Sequence, residues 1–124
     1  MTDADWPTEI RLSRDKRVLH VSFASGASFA LPAEYLRVES PSAEVQGHAP
    51  SERQWIGGKR EVQILSVTPV GNYAVKLAFD DMHDTGIFSW TYLRDLGLEQ
   101  EERFARYLDE IAKRGLGRDR IRKA

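Results

Sequence analysis
The 124-residue chain contains no cysteine. That single absence excludes disulfides, cysteine-ligated zinc, iron–sulfur ligation by thiolate and a cysteine nucleophile. Long apolar runs are missing too: nothing approaches the roughly 18 to 20 residues that cross a bilayer, so no membrane span and no membrane partner are expected. The N-terminus, MTDADWPTEI, has neither the basic start nor the apolar stretch of a secretory signal, and a cytoplasmic location is the expectation. Gly57-Gly58-Lys59-Arg60 lacks the spacing and the following hydroxyl of a GxxxxGK[ST] loop, which leaves nucleotide hydrolysis unsupported.

What is present describes one globular unit, with 41% hydrophobic and 30% charged residues. The formal charge of -1 hides an asymmetry, because KRGLGRDRIRKA at positions 113 to 124 carries six basic groups against one acid. Residues 116–124 read as a solvated basic tail behind a single domain of residues 1–115. Nucleic-acid binding is not expected, since no basic stripe interleaved with aromatics accompanies the tail.

Period-two alternation predicts a first strand over residues 8–14 and a hairpin in which Leu19, Val21 and Phe23 face the same way as Ala27, Phe29 and Leu31, joined by Ser25-Gly26. Pro32 suits the start of a short helix, PAEYLRV. Strands resume at VQILSVTPV, turn at Gly71-Asn72, continue through YAVKLAF and end with GIFSW, followed by a helical TYLRDLG. Residues 99–114 form the clearest helix: Phe104, Tyr107, Leu108 and Ile111 make one apolar stripe, acids lie near its start, and Gly115 is placed to cap its end. The fold class expected is α+β, an antiparallel sheet of about six short strands with a C-terminal amphipathic helix.

The strands fall into two similar units. LHVSF lies over VKLAF, and FALPAEYLR over FSWTYLR, so each unit is strand, turn, strand, then a helix carrying Tyr-Leu-Arg. Leu19, Val21, Phe23, Phe29 and Leu31 then form one inward row, with Val75, Leu77, Phe79, Phe88 and Trp90 as its counterpart. The first unit turns with ASGA, whereas the second turns with DDMHDT. Aspartates cap backbone NH groups in turns. Three carboxylates and an imidazole within five residues are also donors that divalent metals accept. Both readings of the turn stay open here. Residues 39–60 are rich in Ser, Pro and Gly without periodicity and read as the longest irregular segment. Trp55 and Ile56 within it argue for docking against the body or a partner.

The strings LPAEYLRVESPSAEVQGH, GK and PVGNYAVKLAFDD, with HDTGIFSWTYLRDLG after Met82, resemble a small bacterial family of unknown function that matches the N-terminal domain of gamma-butyrobetaine hydroxylases. The same module resembles a segment attached to some Mrp-type P-loop proteins of iron–sulfur assembly. The resemblance spans roughly residues 8 to 98. In the hydroxylases it implies a domain that precedes a separate iron and 2-oxoglutarate catalytic domain, for which no counterpart is expected in this chain. It also implies a structural zinc held by a Cys-x-Cys-x-x-Cys cluster and a later histidine. Those positions fall on Ser40, Ser42, Val45 and His83, so a cysteine-ligated zinc is not expected. The resemblance brings the segment from Ser40 to His48 beside the Asp/His turn, where His83, His48, Asp81 and Asp84 are candidate ligands for iron or another divalent ion.

Three functions compete. The first is a non-catalytic accessory or interaction module that binds another protein, an enzyme or an iron–sulfur assembly factor, through Trp55, Arg37 and Arg94. The second is a metal-binding accessory protein connected with iron handling. The third, an enzyme, requires a nucleophile or acid/base pair in a pocket, and the sequence holds no such constellation outside the Asp/His turn.

Overall fold
The expected alternation yields six antiparallel strands, divided between two three-stranded sheets: β1 (Pro7–Leu12), β2 (Val18–Phe23) and β3 (Ser28–Pro32) form one, β4 (Ile64–Val70), β5 (Ala74–Phe79) and β6 (Gly86–Ser89) the other. The structure, a computed structural model, describes residues 5–120. Each sheet leads directly into a helix, α1 (Ala33–Val38) after the first and α3 (Trp90–Leu98) after the second. Between the halves lie a short helix α2 (Ala43–Gln46) and a single 3-10 turn, Pro50–Glu52, so the segment expected to be irregular is partly helical. The C-terminal helix α4 spans Gln100–Lys113. Among the described residues no helix is long and apolar enough to cross a membrane.

Both inward rows enter one core. Leu19, Val21, Phe23 and Leu31 from the first sheet and Val75, Leu77, Phe79 and Phe88 from the second are buried in it, with Phe29 and Trp90 partly buried at its margin. Across the apolar seam the helices exchange hydrogen bonds reciprocally. The Tyr35 hydroxyl of α1 donates to the Leu96 carbonyl of α3 at 2.7 Å, and the Tyr92 hydroxyl of α3 donates to the Glu39 carbonyl just past α1. Each acceptor lies four residues beyond the tyrosine of its own half, as a pseudo-two-fold arrangement requires. The arginines of the two Tyr-Leu-Arg triplets follow the same rule. Arg37 reaches Asp81 in the β5–β6 turn at 2.8 Å, and Arg94 reaches Asp5, whose carboxylate is seated on Ser25 in the β2–β3 turn.

The two turns are also alike. Gly26 N–H donates to Phe23 O and Phe23 N–H to Ala27 O; correspondingly, Met82 N–H donates to Phe79 O and Phe79 N–H to His83 O. Each is thus a three-residue loop, and the Ser25-Gly26 pair expected to close the first hairpin is joined by Ala24. The third loop residue takes positive φ in both, 99° at Gly26 and 75° at Met82. Glycine adopts that conformation without a Cβ clash and methionine does not, so the second turn carries backbone strain that the first lacks.

Helix α4 buries Tyr107 and Ile111 against Val38, with Phe104 alongside, while Leu108 of the expected stripe remains exposed: the contact is narrower than four positions. After α4, Leu116 N–H returns to Ile111 O and Gly115 N–H to Ala112 O, the paired bonds of a Schellman motif. Residues 116–120, expected as a solvated tail, instead lie along residues 57–60, with Gly58 N–H bonded to Gly117 O and Arg60 N–H to Arg118 O. Arg118 also forms a bidentate pair with buried Glu34 at 2.9 and 2.7 Å. Residues 121–124 lie outside the described residues.

Candidate functional site
The polar interior of the molecule is where the segment after α1 meets the β5–β6 turn. Glu39 and Ser40 are buried directly after α1, and Ser42 is the N-cap of α2, its hydroxyl accepting from the Glu44 N–H. From the other side the strained turn directs His83 inward, 4% exposed, beside Phe79. His83 Nε2 lies 2.9 Å from Ser40 Oγ and Nδ1 lies 3.0 Å from Glu44 Oε1. A carboxylate only accepts, so Nδ1 carries the proton and Nε2 accepts from the Ser40 hydroxyl. Ser40 Oγ in turn accepts from the Ser42 N–H, and Ser42 Oγ bonds Thr85 Oγ1 at 2.7 Å.

Asp81 anchors the outer part of the turn. Its carboxylate takes Arg37 Nε at 2.8 Å and Lys59 Nζ at 2.6 Å and caps the His83 N–H. Burial alone would raise this carboxyl, but the Lys59 hydrogen bond and the Arg37 charge outweigh it and hold the group below the usual carboxylate range. Asp80 caps the Gln63 N–H, and Asp84 faces solvent.

Of the four candidate ligands, the structure brings His83 beside the segment at Ser40 but does not gather the set. His48 is exposed beyond the end of α2, where its backbone N–H bonds Glu52, and Asp81 is occupied by two cations. Among the described residues no three histidine, aspartate or glutamate side chains are grouped to hold an ion. Arg37, put forward as a surface contact, is 89% buried in its ion pair and is unavailable as an anchor; Arg94 is half-exposed against Asp5.

The order Ser40 hydroxyl, His83 imidazole, Glu44 carboxylate is that of a nucleophile relay. It has no access: Ser40 has no exposed surface, and a Cβ at Gly86 would fall 2.5 Å from its Oγ. No acyl group can approach that hydroxyl, so the array acts as a polar strut. The sequence reading missed Glu44 and Glu39 because both lie in the segment taken as irregular. Ser42-Ala43-Glu44-Val45 did carry a signal, an N-cap serine with an acid in the first turn before an apolar residue.

Protonation should break the strut. Burial, and then the Arg37 charge, lower the His83 pKa below its ordinary 6.5 despite the opposing Glu44 and Asp81 carboxylates. The unfolded chain therefore takes up a proton more readily than the folded one. The contribution of neutral His83 is complete above about pH 6.5 and is lost progressively as pH falls from there toward the depressed folded value. Denaturant melts between about pH 7.5 and 5 should show stability falling on acidification, with a flatter profile for His83→Gln. Equal slopes would show that the imidazole stays solvated.

A second cluster stands nearer the surface. Trp55 is half-buried against Val38, Tyr107 and Ile111, and the Tyr107 hydroxyl holds the Ile56 carbonyl at 2.6 Å. Three guanidiniums surround its indole: Arg53 at 3.9 Å from the ring centroid, Arg106 at 5.4 Å and Arg114 at 5.7 Å.

The chain matches the family described as gamma-butyrobetaine hydroxylase-like, N-terminal, over residues 10–94. No curated protein matches it. Two solution NMR structures are each 42% identical with a TM-score of 0.80; this chain is covered over 96% and 100% of its length, and theirs over 94% and 96%. A crystal structure of a DUF971-family protein of unknown function from Acidithiobacillus ferrooxidans is 45% identical with a TM-score of 0.62, covering 73% of this chain and 91% of that one.

Proposed function
The chain belongs to the gamma-butyrobetaine hydroxylase-like N-terminal domain family, and from that premise we propose that it is a non-catalytic accessory domain that binds another protein through the surface around Trp55. The family name describes a segment joined to a hydroxylase-like chain, and a domain of that kind acts through what it touches. The observation that carries the reading is the Trp55 cluster, a half-buried indole backed by the largely buried Arg53 and flanked by the exposed Arg106 and Arg114, at the edge of a small apolar cluster. Tryptophan and arginine are the residue types that most often anchor interfaces, because a flat ring and a planar guanidinium desolvate at low cost and bond through defined directions. The Ser40–His83–Glu44 array is compatible with this reading, since its serine hydroxyl is buried. The partner class expected from the resemblance, an enzyme or an iron–sulfur assembly factor, stays with this proposal.

The test is a quantitative pull-down from the source cell with three baits: wild type, Trp55→Ala, and Tyr73→Ala as a control at an exposed aromatic outside the cluster. At least one protein retained by the control should fall by about tenfold or more with Trp55→Ala. Because Trp55 also packs inward, Arg106→Glu, an exposed change, should weaken recovery of that same protein without lowering the melting temperature. Identical recoveries across all baits would remove the surface from consideration.

A further inference from the structure
The family resemblance places a Cys-x-Cys-x-x-Cys cluster and a histidine at Ser40, Ser42, Val45 and His83, and the groups present there do not fit zinc. Two are neutral hydroxyls, one is an aliphatic side chain, and only the imidazole is a donor of the required kind. Each polar member is already committed: Ser42 Oγ to the Glu44 N–H and Thr85, Ser40 Oγ to His83 and the Ser42 N–H. Yet the segments still converge. Three side-chain links, Ser40–His83, Glu44–His83 and Ser42–Thr85, join residues 40–44 to residues 83–85.

We infer that Ser40, His83 and Glu44 form a metal-free lock that fastens the segment after α1 to the β5–β6 turn, in the place where the family resemblance puts a zinc cluster. The imidazole carries the argument. A carboxylate on Nδ1 fixes its tautomer and ring orientation, the same outer support that metal-binding histidines use, and leaves the Nε2 lone pair aimed into the interior. In this chain that lone pair meets the Ser40 hydroxyl proton at 2.9 Å. A hydrogen bond therefore fills the role of the coordinate bond, and Gly86 leaves the room that the Ser40 hydroxyl occupies, since a Cβ there would stand 2.5 Å from it. The Gln46 side-chain amide braces the arrangement by donating to the Ser40 carbonyl at 2.9 Å. The lock is made of side-chain hydrogen bonds between residues 40–44 and 83–85, so chelators should leave it unchanged where they would strip a thiolate–zinc cluster.

Two measurements test this. In the first, wild type and Ser40→Ala are compared by amide hydrogen exchange with and without EDTA. Protection over residues 40–46 should fall by about tenfold in the variant and should be indifferent to chelator in both. In the second, cobalt(II) is added to wild type, to the triple variant Ser40→Cys, Ser42→Cys, Val45→Cys, and to that variant with His83→Gln. Wild type should take up no stoichiometric cobalt. The triple variant should bind one ion with thiolate-to-cobalt charge transfer and the intense visible bands of tetrahedral cobalt, and His83→Gln should weaken that binding by roughly tenfold or more. Stoichiometric uptake by wild type would overturn the inference, as would a folded triple variant that ignores cobalt or binds it equally well without His83. If the triple variant folds neither alone nor with zinc, the exchange result decides: unchanged protection at 40–46 in Ser40→Ala refutes the lock.

Discussion

Glu39→Ala is expected to cost roughly 3 to 5 kcal/mol of unfolding free energy, enough to leave a domain of this size marginal. Glu39 is 2% exposed and receives Arg53 Nη2 at 3.0 Å and Arg103 Nη1 at 3.1 Å. Truncation removes the acceptor of both and leaves Arg53, itself 88% buried, with an uncompensated charge and an Nε that already lacks a partner. Arg103 suffers less, because it can keep Glu99 and is more exposed. The two effects separate in a double variant. Glu39→Met with Arg53→Met replaces charge by apolar volume on both sides and should recover most of the loss, since isosteric apolar pairs are often as stable as the buried ion pair they replace. Urea unfolding of the two variants measures both numbers. A loss below about 1 kcal/mol for Glu39→Ala would mean that water already reaches the pair.

That pair also explains which parts of the molecule the sequence revealed. Strands and helices are local patterns: LHVSF and VKLAF alternate, and Phe104, Tyr107 and Ile111 recur at helical spacing, so their inward sides could be read directly. The matching Tyr-Leu-Arg triplets revealed the two-fold plan, and the structure adds the reciprocal hydrogen bonds that the plan entails. Residues 39–60 were opaque because their order comes from partners far along the chain. Arg103 lies 64 residues from Glu39, and no short-range period can announce such a contact. The docked segment after α4 is of the same kind, tied by Arg118 to Glu34 across 84 residues. In the Asp/His turn, residue types alone left metal and turn chemistry open. What separates the residues is direction: His83 points inward, Asp81 lies sideways between Arg37 and Lys59, and Asp84 faces water. His48 is exposed because α2 ends before it and the chain emerges to solvent.

Tyr35→Ala should be about as damaging as loss of Glu39, again roughly 3 to 5 kcal/mol, but for an apolar reason. Tyr35 has no exposed surface, and its ring meets Phe104 edge-on, 6.3 Å between centroids. Truncation opens a void between α1 and α4 that rigid neighbours on both sides cannot fill. Tyr35→Phe isolates the hydroxyl: it keeps the packing, removes the bond to the Leu96 carbonyl, and should cost about 1 kcal/mol. Tyr92→Phe, its counterpart, breaks the reciprocal bond to the Glu39 carbonyl and should cost a similar amount. Both bonds close the same seam between the halves, so the double phenylalanine variant is a direct test of whether they act together. If the seam is a single cooperative contact, the double loss departs from the sum of the single losses by more than about 0.5 kcal/mol. Strict additivity would instead describe two independent pins across a seam held by its apolar rows, Leu19 to Leu31 facing Val75 to Phe88.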